Sequence, residues 1–203
     1  KDYALAEISR CAADPQLKLG LKLHFGNSRV QLEKPEHLAR LVEVFALANR
    51  HRMALAVHTR ASISQQHPYG AAQARLFIDK LLPAAPNVPV QVAHMGGSGP
   101  GFEDAPAHAF IRVLTQARAA GDRRTRNLWF DVASTAHPSN SPGTSRLLAL
   151  LVREAGIDRV LYGSDSALGE NLRPREAWAA FTALPLEQDE IRRIGRNVAP
   201  YLR

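Results

Sequence analysis

VQVAH, residues 90–94, is an apolar run ended by a histidine, and in the loop after it four of the six residues 96–101 are glycine. The same arrangement returns on both sides of it. LAVH ends at His58, 36 residues before His94, and GLK ends at Lys22, another 36 residues back. Downstream, LWFD ends at Asp131, 37 residues beyond His94, and VLYGSD ends at Asp165 after 34 more. One strand–helix–strand unit takes roughly 30 or more residues. The chain therefore reads as successive βα units, each ending its strand in a polar or metal-binding side chain. That end is where (β/α) barrels place their active sites.

The intervening segments agree with this reading. Residues 3–13 and the stretch from Pro35 to Asn49 read as helices; in the second, Leu38, Leu41, Val42, Phe45 and Ala46 share one stripe. Further helices are expected at 71–82, 106–120, 145–155, 174–183 and 187–197. The five strands, at 19–23, 53–57, 89–93, 127–134 and 159–165, are almost continuously apolar, as parallel strands covered on both faces should be. The loops that follow strands are longer and richer in Gly, Ser, Pro and His than those that precede them, which marks the carboxyl-end face as functional. Five strands cannot close an eight-stranded barrel. The chain is therefore an open α/β sheet or part of a barrel, within a single domain over residues 1–203.

Composition bounds the function. The chain has 203 residues, 45% hydrophobic and 22% charged, as in a folded globular domain. No run approaches the roughly 18 apolar residues of a membrane span. Net charge is +7, but the one dense basic cluster (Arg118, Arg123, Arg124 and Arg126) falls in a helix-to-strand connection and reads as a solvated loop. Nucleic-acid binding is not expected, because it needs a concentrated basic stripe and a reading element. A single cysteine, Cys11, rules out an internal disulfide and a cysteine metal cluster; it reads as a packing residue.

His58 and His94 are imidazoles at strand ends, suited to zinc and related divalent ions. Taken alone, a histidine at a strand end is more often a satisfied polar residue. A buried, unpaired carboxylate at Asp165 would be costly, so Asp165 needs a cation, a metal or a helix start. Together, whole βα units apart, the three point to a shared metal-dependent site. Lys22 and His24 are two residues apart and so share one side of their strand. Arg60 follows His58 by two residues; it could grip a substrate carboxylate in a bidentate pair or form a loop ion pair. Asp131 is a structural carboxylate or one that orients pocket histidines. His67, Tyr69 and His137 lie in the long loops, and His37, His51 and His108 on helices.

The ordered set GLKLH, AVHTR, VAHMGG, LYGSD and closing RNVAPYL resembles the amidohydrolase superfamily, in its amidohydrolase-related branch, which includes aminocarboxymuconate-semialdehyde decarboxylase. The likeness runs from about Lys18 to Leu202. It implies a (β/α)8 TIM barrel of metal-dependent hydrolase type, of which this chain holds strands four to eight. His58 would then be a metal ligand. His94 would bind metal or polarise water or substrate, and Asp165 would contact the metal and take a proton from its water. Lys22, as a structural or substrate-side cation, would bind substrate together with His24 and Arg60. The family's His-x-His pair of the first strand has no counterpart here. Counting back by the same period, three strands and those ligands are expected before Lys1.

The resemblance implies an enzyme, a metal-dependent hydrolase cleaving an amide, ester or lactone bond. Its metal would be a divalent ion, zinc first, with manganese, cobalt or iron as alternatives. Two other readings stay open: a non-oxidative decarboxylase on the same site, and a non-catalytic fragment that binds a partner through its sheet edges. The expected partner is a small molecule, one bearing a carboxylate included, and self-association is compatible with the chain. The compartment is left between cytoplasm and periplasm.

Overall fold

The computed structural model describes residues 3–61, 63–166 and 171–202. Its centre is a parallel sheet of five strands: β1 (Gly20–His24), β2 (Ala54–His58), β3 (Val90–Val92), β4 (Leu128–Asp131) and β5 (Val160–Leu161), side by side in chain order. Helix α1 (Tyr3–Ala13) precedes β1. Helices α2 (Pro35–Arg50), α3 (Ala71–Leu76), α4 (Ala105–Ala119) and α5 (Pro142–Ala155) connect the strands, and α6 (Pro174–Thr182) and α7 (Gln188–Arg196) follow β5. Among the described residues no helix is long and apolar enough to cross a membrane.

Local chemistry explains the elements. Proline in the first turn opens α2, α4, α5 and α6. The Asp104 carboxylate accepts from the Ala107 N–H to cap α4, and the Ser141 hydroxyl caps α5 through the Thr144 N–H. Gly156, in the left-handed region at φ 89°, ends α5. The helix expected over 71–82 is α-helical only to Leu76, then widens into a π-helical turn, Phe77–Leu81, and closes as a 3-10 turn, Leu82–Ala84, around Pro83.

The ladder register sorts the side chains. Lys22, Ala56, Gln91 and Trp129 align across the sheet on one face, continued by Asp131 and Leu161. Their neighbours Leu55, Val57, Val90, Val92, Leu128 and Phe130 face the other way into the main core. There they meet α2 (Phe45), α4 (Phe110, Leu114) and α5 (Leu148, Val152), all fully buried. The first face carries only a small cluster, Trp129, Leu161 and Ala199, with Tyr201 packed on it. One face is thus a helix-covered core and the other is polar and small, as the inner wall of an incomplete barrel would be.

The basic cluster after α4 is not simply solvated, as the sequence suggested. Arg118 donates to the carbonyls of Ala155 and Thr125, and Arg124 pairs with Asp79 and Asp122. These cations tie the amino-end loops of the sheet together.

Candidate active site

Three histidines meet at the carboxyl ends of adjacent strands. His24 ends β1 and is the register partner of His58, which ends β2. Their rings stack at 4.0 Å between centroids, with 9° between planes. His94, two residues past β3, meets the His58 ring edge-on at 5.1 Å and 65°. A cavity of about 600 Å³ opens beside His24 and His58, lined also by Arg60 and by loop residues such as Asn27, Arg29, Ile63 and Gln65. It shares Asn27, Arg29 and Gln65 with a larger cavity of about 1040 Å³ beside α2.

The hydrogen bonds fix what each ring can do. The Nδ1 of His24 accepts from the Asn27 N–H at 3.1 Å, so the neutral ring carries its proton on Nε2 and is a donor there. The Nδ1 of His94 lies 2.8 Å from the Ala133 carbonyl, which can only accept, so this ring keeps its proton on Nδ1 and offers the lone pair of Nε2. Burial, then the positive charge available to His24, His94 and Lys22, pushes His58 down to about 3. His58 is therefore neutral in the folded protein across the ordinary pH range. Burial and Lys22 lower His24 in the same direction.

The backbone is most contorted on this side. Seven described non-glycine residues have positive φ, and all but Arg52 lie in loops after strands: Arg29, Gln66, His94, Met95, Ser134 and Asp165. Such residues cost on the order of 1–3 kcal/mol each and persist where surrounding contacts hold them, typically at functional sites. For His94, at φ 54°, the holding group is Asp131: its Oδ1 accepts the His94 backbone N–H at 2.8 Å.

Behind the histidines, Tyr69 joins two strand-end loops. It shares a hydrogen bond with the Thr59 hydroxyl at 2.8 Å and donates to the Gly96 carbonyl at 2.6 Å. Gly96 needs its left-handed φ of 76°, and an added Cβ would come within 3.1 Å of Phe110 and 3.3 Å of the Tyr69 oxygen. Sequence reading left Tyr69 unplaced and missed Asp104 as a member of this network, although an acidic residue before Ala105-Pro106 is a helix-start signal.

The other expected site residues have surroundings of their own. Arg60 lines the cavity and is held by a loop pair: its Nε and Nη2 donate to the Asp104 carboxylate at 2.9 and 3.4 Å, and its guanidinium lies 4.7 Å over the Tyr69 ring. The loop ion pair is thus the arrangement found. Lys22 is exposed on the edge strand β1. Asp165 was expected at a strand end, but β5 stops at Leu161 and Asp165 is exposed four residues later, its carboxylate accepting from Asn171 at 3.2 Å. Three ladder steps of about 4.8 Å each separate β5 from β2. Accordingly, no group of three or more His, Cys, Asp or Glu side chains among the described residues is arranged to hold a metal ion. His58 and His94 have the right chemistry for ligands, but two imidazoles do not make a metal site.

A family model described as amidohydrolase matches residues 1–199. The chain belongs to the amidohydrolase family. No curated protein matches it. Among solved structures, this amidohydrolase chain is similar to 2,6-dihydroxybenzoate decarboxylase from Rhizobium, at 18% identity and TM-score 0.57, over 96% of this chain and 65% of that one. It is similar to 5-carboxyvanillate decarboxylase from Sphingomonas paucimobilis, at 16% identity and TM-score 0.58, over 95% and 60% of the two chains. A third is a dihydroxybenzoic acid decarboxylase from Polaromonas sp. JS666 with bound manganese and the inhibitor 2-nitroresorcinol, at 15% identity and TM-score 0.56, over 96% and 63%. The chain spans less than two thirds of the length of these structures. The likeness is one of fold: an α/β fold with a parallel five-stranded sheet, matching TIM-barrel neighbours of the amidohydrolase-related kind.

Proposed function

We propose that this chain carries one side of the active site of a non-oxidative decarboxylase acting on a small, carboxylate-bearing molecule. The observation behind this is the make-up of the strand-end cluster. It gathers imidazoles, with a lysine two residues before His24, while the one carboxylate expected to serve as base, Asp165, is exposed four residues past the end of β5. Hydrolysis needs a base beside the attacking water. Decarboxylation does not: the carboxylate leaves as carbon dioxide, its bonding pair stays on carbon, and a proton replaces it there. Lys22 and the Nε2–H of His24 suit the grip on a substrate anion, and the Nε2 lone pair of His94 can accept a proton from substrate or receive one for delivery. The neutral His58 adds no charge of its own.

The related decarboxylases act on dihydroxybenzoate and carboxyvanillate, so a hydroxylated aromatic acid is the substrate class favoured. A divalent ion is the proposed cofactor, with manganese preferred over zinc because a related structure binds it. His58 and His94 would supply two of its ligands, which do not complete a metal site by themselves.

The test is to incubate the manganese-loaded protein with 2,6-dihydroxybenzoate, and separately with simple aryl esters and lactones, following carbon dioxide release and acid production. Carbon dioxide from the aromatic acid, lost in a His94→Ala variant, is the expected result. Ester or lactone turnover without carbon dioxide release would move the site to the hydrolase reading. A protein inert to both would return it to a binding role.

A further inference from the structure

Asp131, His94 and Ala133 form a closed hydrogen-bonded ring. One carboxylate oxygen of Asp131, Oδ1, accepts the backbone N–H of His94 at 2.8 Å and that of Ala133 at 3.2 Å. The Ala133 carbonyl in turn accepts the Nδ1–H of the His94 ring at 2.8 Å. The same carboxylate therefore holds the backbone from which the ring hangs and the peptide that orients it. Its other oxygen, Oδ2, accepts from the Gln91 amide at 2.6 Å, and the Gln91 carbonyl accepts from the Tyr201 hydroxyl at 2.7 Å. Asp131 and His94 are both buried. His94 and Met95 are consecutive non-glycine residues in the left-handed region, at φ 54° and 47°. The turn is closed by the Gly97 N–H, which donates to the His94 carbonyl at 2.8 Å, and its start is fixed by the Asp131 acceptor.

We propose that Asp131 is a positioning residue: it fixes the orientation and the Nδ1–H tautomer of His94, which leaves the ring's lone pair on Nε2. This deepens the functional reading in one respect, since it takes His94 as a site residue. Its test needs no turnover. In protein labelled with nitrogen-15 at histidine, long-range nitrogen–proton spectra at about pH 8, where imidazoles are neutral, report the tautomer of each ring.

The wild-type protein should show His94 protonated on Nδ1 alone, with a slowly exchanging backbone N–H. Asp131→Ala should lose both, giving mixed tautomers and fast exchange. Asp131→Asn should keep them, because the Asn carbonyl can accept the same two N–H groups while Gln91 turns its amide. A wild-type His94 protonated on Nε2 would overturn the proposal, and so would a folded Asp131→Ala protein that retains the single tautomer. The wild-type and asparagine spectra decide the matter even where the alanine variant does not fold. Because no substrate or metal is involved, failure here is separable from failure of the decarboxylase reading.

Discussion

The Arg60 guanidinium and the Asp104 carboxylate meet at 2.9 Å across the loops that follow β2 and β3, with only 8% and 14% of their side chains exposed. The pair joins the segment after His58 to the first turn of α4, where Asp104 also caps the helix. Removing one member of such a pair leaves a charge with poor solvation, a cost of about 3–5 kcal/mol. Asp104→Ala should therefore destabilise the protein by roughly that amount, with about 1 kcal/mol of it from the lost cap. Urea unfolding of Asp104→Ala and of the double variant Arg60→Met/Asp104→Ala measures it. The double variant should recover much of the loss; equal destabilisation of the two would show that the ion pair is not the cause.

Tyr69 and Gly96 form the second link between these loops. Tyr69→Phe removes the hydrogen bonds to Thr59 and to the Gly96 carbonyl while keeping the ring stacked on Phe110 at 4.7 Å. The buried carbonyl left without a donor should cost about 1–3 kcal/mol. Gly96→Ala should cost a similar amount for a different reason, the left-handed backbone together with the 3.1 Å approach to Phe110. Thermal denaturation should place both variants below the wild type, and hydrogen exchange should be faster across residues 94–97 in each. An unchanged melting temperature for Gly96→Ala would mean that the turn relaxes freely.

Much of this architecture was legible in the sequence, for a physical reason. The period of about 36 residues and the apolar runs ended by Lys22, His58, His94 and Asp131 are one-dimensional signals of βα units, and the strands formed there in parallel order. The convergence of His24 with His58 was only half visible: strand alternation put Lys22 and His24 on one face, but the pairing of His24 with His58 is a matter of register. The fifth strand was read four residues too long: the ladder ends at Leu161, and Tyr162, Gly163 and Ser164 carry the chain to Asp165 outside it. Arg60 was read by its spacing from His58, and spacing stops predicting direction once β2 has ended. Asp131 was legible as a carboxylate in a strand but not as the acceptor for His94, because its partners lie 37 and 2 residues away.

Phe110 shows how far the site depends on the core. It is fully buried, stacks under Tyr69 and meets Phe77 edge-on at 6.1 Å. Phe110→Ala should cost about 3–5 kcal/mol through lost burial and the cavity left behind. It should also loosen Tyr69, and with it the loop carrying His94. Denaturant unfolding gives the first effect, and proton spectra of the His94 ring give the second. A large loss of stability with an unmoved His94 resonance would separate the core from the site.

Acid should loosen the carboxy-terminal helix before it unfolds the sheet. Glu190 on α7 accepts from Arg153 on α5 at 2.8 and 2.7 Å and from the Glu187 N–H at 2.7 Å. Hydrogen bonding to Arg153, opposed by partial burial and helped by the Glu187 N–H, holds the Glu190 carboxyl below its usual 4.5. A carboxyl lowered on folding stabilises the folded state fully above its unfolded value. That contribution fades as pH falls below about 4.5 and is gone once the folded value is passed. The contribution of a half-exposed pair is small, about 1 kcal/mol or less. As pH falls from about 5 to about 3, the stability of Glu190→Gln should therefore fall less steeply than that of the wild type, by up to that amount. Parallel stability curves for the two proteins over that range would show that Glu190 does not couple α7 to α5.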